Sequence, residues 1–236
     1  MKTPTTTKAA LFDAMGLGPV WELRKSPAGA VEVQAPVEVQ APMVGLPNDL
    51  TDLQQQVAQC QACGLCKTRQ QTVFSAGVPN ATLMVVGEAP GADEDAQGQP
   101  FVGRAGQLLD KLLLSVGRSR QNNVYIANVL KCRPPGNRNP EADEIAQCEP
   151  YLRQQLALVN PKVLLLVGRF SISTLLNTDK PISQLRGQVH QVSIDGRGVP
   201  AVVSYHPAYL LRRPEEKAKS WDDLLLLKRV MEEQQA

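Results

Sequence analysis

Apolar residues gather along this chain in short unbroken runs, not in alternation with polar ones. Residues 83–86 (LMVV), 123–129 (NVYIANV) and 162–167 (KVLLLV) each read as a strand buried on both faces. Between them the apolar spacing becomes helical, at 105–116, at 141–159, from Gly168 to Leu176, and finally at 221–230. An earlier helix, capped by Asn48 or Asp49, carries Leu50, Leu53 and Val57 towards Cys60. Residues 72–74 read as a short extended piece. Residues 188–194 and 199–204 flank Asp195-Gly196-Arg197-Gly198, which predicts a hairpin or a close strand pair. Short strands alternating with helices predict an α/β fold, a three-layer α/β/α sandwich around a mainly parallel sheet.

The stretch LMVVGEAPGADEDAQGQPFVGRAG, residues 83–106, organises the rest. Its strand breaks at Gly87-Glu88-Ala89-Pro90-Gly91, a sharp turn at the carboxyl end of a strand, where open α/β sheets place their ligands. A long polar loop follows and presents Phe101, expected to be exposed, between Gly98 and Gly103. This loop is expected to floor an active site. The first, second and last strands each deliver a polar residue at the carboxyl end: Glu88, Asn128 and His206. The segment 131–140 (KCRPPGNRNP), with three prolines and a glycine, must be irregular.

Residues 1–49 differ in kind. The hexapeptide VEVQAP occurs at 31–36 and again at 37–42, and two copies with a proline in each form an extended linker, not a solenoid. We expect 1–49 to be a disordered tail, with Phe12 and Trp21 as anchors for any protein partner, and 50–236 to be the domain. Of 25 Lys/Arg and 23 Asp/Glu, four and six lie in residues 1–59, so the remainder is mildly basic. That balance is compatible with a phosphate-backbone partner. No apolar run approaches the roughly 20 residues of a membrane span, and the N-terminus lacks the apolar core of a secretory signal. A soluble cytoplasmic protein is expected, in which five cysteines serve as ligands or free thiols rather than disulfides.

Those cysteines are spaced Cys60-x2-Cys63-x2-Cys66 and Cys132-x15-Cys148. A close pair plus two distant thiolates suits an iron–sulfur cluster or a zinc ion, and spacing alone does not choose. Either Cys60/Cys63 or Cys63/Cys66 supplies the pair.

Five motifs then carry a resemblance. They are C-x-x-C-x-L-x-x-x-R (Cys60 to Arg69), GEAPG-x-x-E-D (Gly87 to Asp95), PFVG-x-AGQLLD (Pro100 to Asp110), Y-I-x-N-x-x-K-C-R-P-P-x-N-R (Tyr125 to Arg138) and HPAYLLR (His206 to Arg212). In this order, over about residues 50–232, they closely resemble the family 4 uracil-DNA glycosylases of the uracil glycosylase superfamily. The resemblance implies a four-stranded parallel sheet and a [4Fe–4S] cluster held by Cys60, Cys63, Cys132 and Cys148, with Cys66 left over. It implies uracil-containing DNA, single- or double-stranded, as the partner of a monomeric, monofunctional enzyme of base-excision repair.

Such an enzyme must flip the nucleotide out of the stack. By resemblance, Phe101 stacks on uracil, Asn128 reads its O4 and N3–H, and His206 donates to O2 as negative charge develops there. Gly87 and Ala89 line the base pocket. Glu88 and Asn137 stand at the attacking water, without the Asp that activates water in the best-known uracil glycosylases. Leu210 fits an apolar wedge into the vacated stack, followed by Arg212 for phosphate. Arg104, Lys131, Arg133, Arg138 and Arg186 would line the DNA groove, and His190, within a strand pattern, is structural. A related sub-family that crosslinks to abasic DNA carries a His-containing insertion after PFVG, whereas here Arg104-Ala105-Gly106-Gln107 runs straight into a helix. The remaining alternative is a non-catalytic iron–sulfur DNA-binding module, against which the intact Phe101, Asn128 and His206 stand.

Overall fold

A computed structural model describes residues 45–234. Of the expected tail only residues 45–49 fall within it; the VEVQAP repeat, Phe12 and Trp21 lie outside the described residues. Six strands form one sheet: β1 (Ala76–Gly77), β2 (Leu83–Gly87), β3 (Val124–Asn128), β4 (Val163–Val167), β5 (Val189–Ile194) and β6 (Arg197–Ser204). Their order is β1-β3-β2-β4-β6-β5. The four inner strands are parallel, and β1 and β5 add antiparallel edges. The expected four-stranded parallel sheet is therefore the centre of a six-stranded one. The hairpin expected around Asp195-Gly196 forms, and β5 is its outer strand.

Eight helices flank the sheet among the described residues: α1 (Leu50–Ala58), α2 (Ala92–Gln97), α3 (Arg104–Ser115), α4 (Ala142–Val159), α5 (Arg169–Leu176), α6 (Ile182–Leu185), α7 (Pro207–Arg212) and α8 (Lys217–Glu233). Strand periodicity of two sorts the core into two faces. Met84, Val86, Leu164, Leu166 and Val203 pack with Leu152 and Leu156 of α4 and Ile172 and Leu175 of α5. Leu83, Val85, Ile126, Leu165 and Val202 pack with Leu109 and Leu113 of α3 and Leu224 and Leu227 of α8. Each such side chain contributes about 1.5–3 kcal/mol on full burial, which explains why the inner strands are apolar on both faces. Among the described residues no helix is long and apolar enough to cross a membrane.

The sequence pattern missed α2, which is polar along its length. Glu94 accepts from the Gly91 N–H at 3.1 Å at the start of α2, and Gly98 (φ 70°) ends it in the left-handed region. Helix α8 also starts at Lys217, ahead of the expected residue 221, after a 3₁₀ turn over Pro214–Glu216.

One polar tie crosses the second face. Asp223 of α8 is fully buried, accepts from the Ser204 hydroxyl at 2.8 Å and pairs with Arg186 at 2.9 Å. The Arg186 guanidinium stands 5.7 Å from the centre of the Tyr205 ring. Arg186 is therefore an internal strut for the end of β6, not the groove cation expected. Removing the carboxylate takes the counter-charge from Arg186 and the shorter hydrogen bond from Ser204, leaving them the Lys219 carbonyl and the Ser220 hydroxyl respectively. Asp223→Ala should cost about 2–3 kcal/mol of folding free energy, measured by urea denaturation; an unchanged midpoint and slope would contradict this role.

Candidate active site

The chain steps from β2 to β3 on one side of β2 and returns to β4 on the other. That makes the carboxyl end of β2 a topological switch point, where open α/β sheets leave a crevice. A cleft of about 990 Å³ opens there, and Glu88, Ala89, Asn128, Asn137, His206 and Arg212 all contribute to its walls, with Phe101 at its base. Six of the predicted polar and aromatic site residues are thus brought to one cavity.

The floor depends on a missing side chain. A Cβ on Gly87 would lie 2.4 Å from Asn128 Oδ1 and 2.6 Å from Phe101 Cζ, so only glycine lets the amide and the ring meet. Asn128 ends β3 and is 2% exposed, and its Oδ1 has no hydrogen-bond partner. Phe101 is 5% exposed, not on display as expected, and has φ 56°. Its ring stacks on His206, with centroids 5.5 Å apart and planes inclined by 28°.

His206 Nδ1 accepts from the Ala208 N–H at 3.2 Å. Its lone pair is therefore at Nδ1, and in the neutral ring the proton sits on Nε2, a donor. Burial, reinforced by the Arg212 cation and opposed by Glu94, pulls the imidazole pKa down to about 4. The ring is neutral at ordinary pH. Glu88 is pushed above the usual carboxylate range by burial; the Phe170 and Arg169 N–H groups and the Arg169 and Arg212 cations pull the other way. Its Oε1 accepts from the Phe170 N–H at 3.4 Å, at the start of α5, and a Cβ on Gly168 would come within 2.3 Å of it. Asn137 is exposed on the opposite wall (φ 56°), its Oδ1 accepting from Arg133 Nε at 2.7 Å.

Two expectations require correction. Leu210 is fully buried inside α7 and cannot act as a wedge in this conformation; its hydrophobicity reflects core packing. Lys131 does not line a groove. It is buried, its Nζ donating to the Asn128 carbonyl at 2.6 Å and to Gln155 Oε1 at 2.5 Å, and burial lowers its pKa to about 8. Gln155 in turn donates to the Tyr125 hydroxyl at 3.1 Å. Nothing in the sequence separates this ammonium from the surface cations beside it. Arg169 and Lys180, also unforeseen, add positive charge to the cleft wall. His190 is structural as expected, buried with Nε2 2.7 Å from the Leu185 carbonyl.

All five cysteines line a second, small cavity together with Val57, Arg69 and Tyr151. Cys63 caps a 3₁₀ turn over Gly64–Lys67, which brings Cys66 to the same wall. Arg69 Nη1 donates to Cys132 Sγ at 3.1 Å and Nη2 to the Cys60 carbonyl at 2.9 Å; the Lys131 N–H donates to Cys148 Sγ at 3.2 Å. Burial pushes the Cys148 thiol up to about 12. Among the described residues no three His, Cys, Asp or Glu side chains are grouped closely enough to hold a single metal ion.

A family model described as the uracil DNA glycosylase superfamily matches residues 74–225. The type-4 uracil-DNA glycosylase of Archaeoglobus fulgidus is 42% identical over 172 residues, covering 71% of this chain and 86% of that protein. The protein of the same description from Pyrobaculum aerophilum is 38% identical over 182 residues, covering 75% and 92%. That from Thermotoga maritima is 41% identical over 160 residues, covering 67% and 81%.

The geometry at His206 fixes a titration. Because its folded pKa lies below the ordinary imidazole value near 6.5, the unfolded chain binds a proton first. Stability contributed by the neutral ring is complete above about pH 6.5 and is lost as pH falls from there towards 4. NMR titration of the His206 ring should give a neutral Nε2–H tautomer at pH 6 and protonation only near pH 4; a midpoint near 6.5 would refute the buried, Arg212-facing environment.

Proposed function

The chain belongs to the uracil DNA glycosylase superfamily, and from that premise we propose that it is a monofunctional uracil-DNA glycosylase. It removes uracil from single- or double-stranded DNA and leaves an abasic site, the first step of base-excision repair. One observation carries the reading: a carboxamide oxygen is kept dry and unpartnered beside an aromatic ring at the base of the cleft.

The flipped uracil stacks on Phe101. Asn128 Oδ1 accepts from uracil N3–H and its amide donates to O4, the pattern that cytosine lacks. Rings 5.5 Å apart leave no room for a base between Phe101 and His206. The base therefore lies beside the imidazole on the same platform, and a ring within 28° of that platform offers its Nε2–H edge-on to uracil O2. As the C1′–N1 bond breaks, its electron pair leaves with uracil, and the neutral imidazole stabilises the anion in a water-poor pocket. Positive charge on the sugar faces the Glu88 carboxylate. Glu88, held by the α5 amides, and Asn137 orient the water whose oxygen bonds to C1′; the proton the water loses balances the one the departing uracil anion takes up. Gly87 and Ala89 shape the pocket wall, and Arg212 meets phosphate at the rim. Every residue assigned to the site lies in one chain, which is consistent with a monomeric enzyme, and the cytoplasm is the proposed compartment. A module that only bound DNA would gain nothing from a dry donor and acceptor beside a stacking ring.

Cys60, Cys63, Cys132 and Cys148 would hold a [4Fe–4S] cluster, with Cys66 in reserve on the same wall. An all-sulfur donor set with N–H groups aimed at Cys132 and Cys148 suits iron–sulfur ligation. These four cysteines would join the 60–66 turn to Cys132 and α4 through the bound group.

Purified protein should release uracil from a uracil-containing oligonucleotide, and His206→Ala should lower kcat by about 10²–10³; wild-type protein that releases no uracil would overturn the reading. Anaerobically prepared protein should contain four irons per chain, absorbing near roughly 400 nm as thiolate-bound clusters do. Cys66→Ser should keep the iron and Cys132→Ser lose it; the reverse would reassign the ligands.

A further inference from the structure

Phe101 is held by two charged groups that no motif reading assigns a task. Its φ of 56° lies in the left-handed region, which a non-glycine residue enters only when its surroundings impose it. On the chain-start side of the ring, Arg120 Nη1 donates to the Pro100 carbonyl at 2.7 Å and Nη2 to the carbonyl of Phe101 itself. Arg120 is in turn aimed by Asp110 of α3, with Nε to Oδ1 at 2.7 Å. On the other side, Glu94 Oε1 accepts from the N–H groups of Val102 at 2.9 Å and Gly103 at 3.1 Å, while Oε2 accepts from Gly91. Four consecutive residues are thus gripped by a cation on their carbonyls and a carboxylate on their amides. Gly106 closes the third side, where a Cβ would fall 1.7 Å from the Phe101 oxygen.

We propose that Arg120 and Glu94 are positioning residues that clamp residues 100–103 in the conformation that turns the Phe101 ring towards Gly87 and Asn128, and so set affinity for the flipped base. The proposal rests on the uracil reading of the pocket. Released from the clamp, Phe101 relaxes towards negative φ and its ring swings off Gly87. Stacking acts on bound substrate and transition state alike, so the loss falls on KM and on inhibition by free uracil rather than on kcat. Binding to DNA already lacking the base does not use the ring.

The test is a cycle of Arg120→Met and Phe101→Ala, singly and together, in the full chain. Arg120→Met should weaken inhibition by free uracil and raise KM by about tenfold, within the range of one base–aromatic stack. Affinity for an abasic-site oligonucleotide should be unchanged, and Arg120→Lys should recover part of the loss. In the Phe101→Ala background the same substitution should have little further effect. Equal losses in both backgrounds, or equal weakening of abasic-site binding, would overturn the proposal. Hydrogen exchange at the amides of Val102 and Gly103 should quicken in Arg120→Met whatever the activity; unchanged exchange would overturn the clamp itself. Wild-type protein insensitive to free uracil but with those amides protected would instead locate the failure in the reading of the pocket.

Discussion

Desolvating an amide oxygen without giving it a hydrogen bond costs about 1–3 kcal/mol, and Asn128 Oδ1 carries that cost at 2% exposure. An unconstrained side chain would turn outward or find a donor. Asn128 is prevented from doing so by its place at the end of β3, paired in register with Gly87, and by the ammonium of Lys131, which holds its carbonyl from below. On the proposed reading, the unpaired oxygen is recognition energy held in reserve. A base presenting N–H in its plane satisfies it, and one presenting an acceptor adds repulsion to the existing cost. In the proposed pocket, discrimination would follow from leaving Asn128 unpaired against the wrong base, which is more effective than contact area alone.

Two further costs fall within the same cleft. Phe101 stands in left-handed backbone, worth on the order of 1 kcal/mol or more for a non-glycine residue. His206 and Glu88 are both held away from their ordinary proton affinities by burial. Such costs persist only where the scaffold over-determines them. Here the scaffold is a four-stranded parallel core apolar on both faces; Glu88 and His206 follow directly on the carboxyl ends of β2 and β6, and Phe101 is brought back to the same end by the loop after α2. The rigid part of the molecule and the costly part meet at the switch point.

How much of this was legible in the sequence depends on whether a residue's role is set locally. The inner strands were legible because burial on both faces requires an unbroken apolar run, as at Leu83 to Val86. Gly87, Asn128 and His206 could be found because the carboxyl end of a strand is a fixed address. The edge strand β1 is two residues long and leaves no pattern, and α2 is polar throughout, held by one carboxylate and one glycine. Charged residues were the least legible. Lys131, Arg120 and Arg186 look like solvated loop cations, yet each turns inward to oxygen acceptors, at least one of them ten or more residues away. Leu210 failed for the opposite reason: an apolar residue beside a loop reads the same whether it is a wedge or a core contact, and only tertiary packing distinguishes them.

The segment from Asn128 to Cys132 explains why a cysteine cavity belongs in a hydrolytic enzyme. Its backbone leaves the sheet with Val129 and Leu130 donating to the Gly87 and Glu88 carbonyls, both at 3.0 Å, so the β2 and β3 ends are stitched together beneath the pocket. Two residues on, the Lys131 N–H binds Cys148, and Cys132 accepts from Arg69, whose other nitrogen grips the Cys60 carbonyl. The same five residues thus end in the Asn128 amide at the cleft on one side and in the thiol cavity on the other. A chain with two prolines and a glycine between Cys132 and Asn139 has little local preference to hold that course. A cluster bound by the proposed ligands would supply from outside the sheet the rigidity that Asn128 requires, a structural role consistent with that proposal.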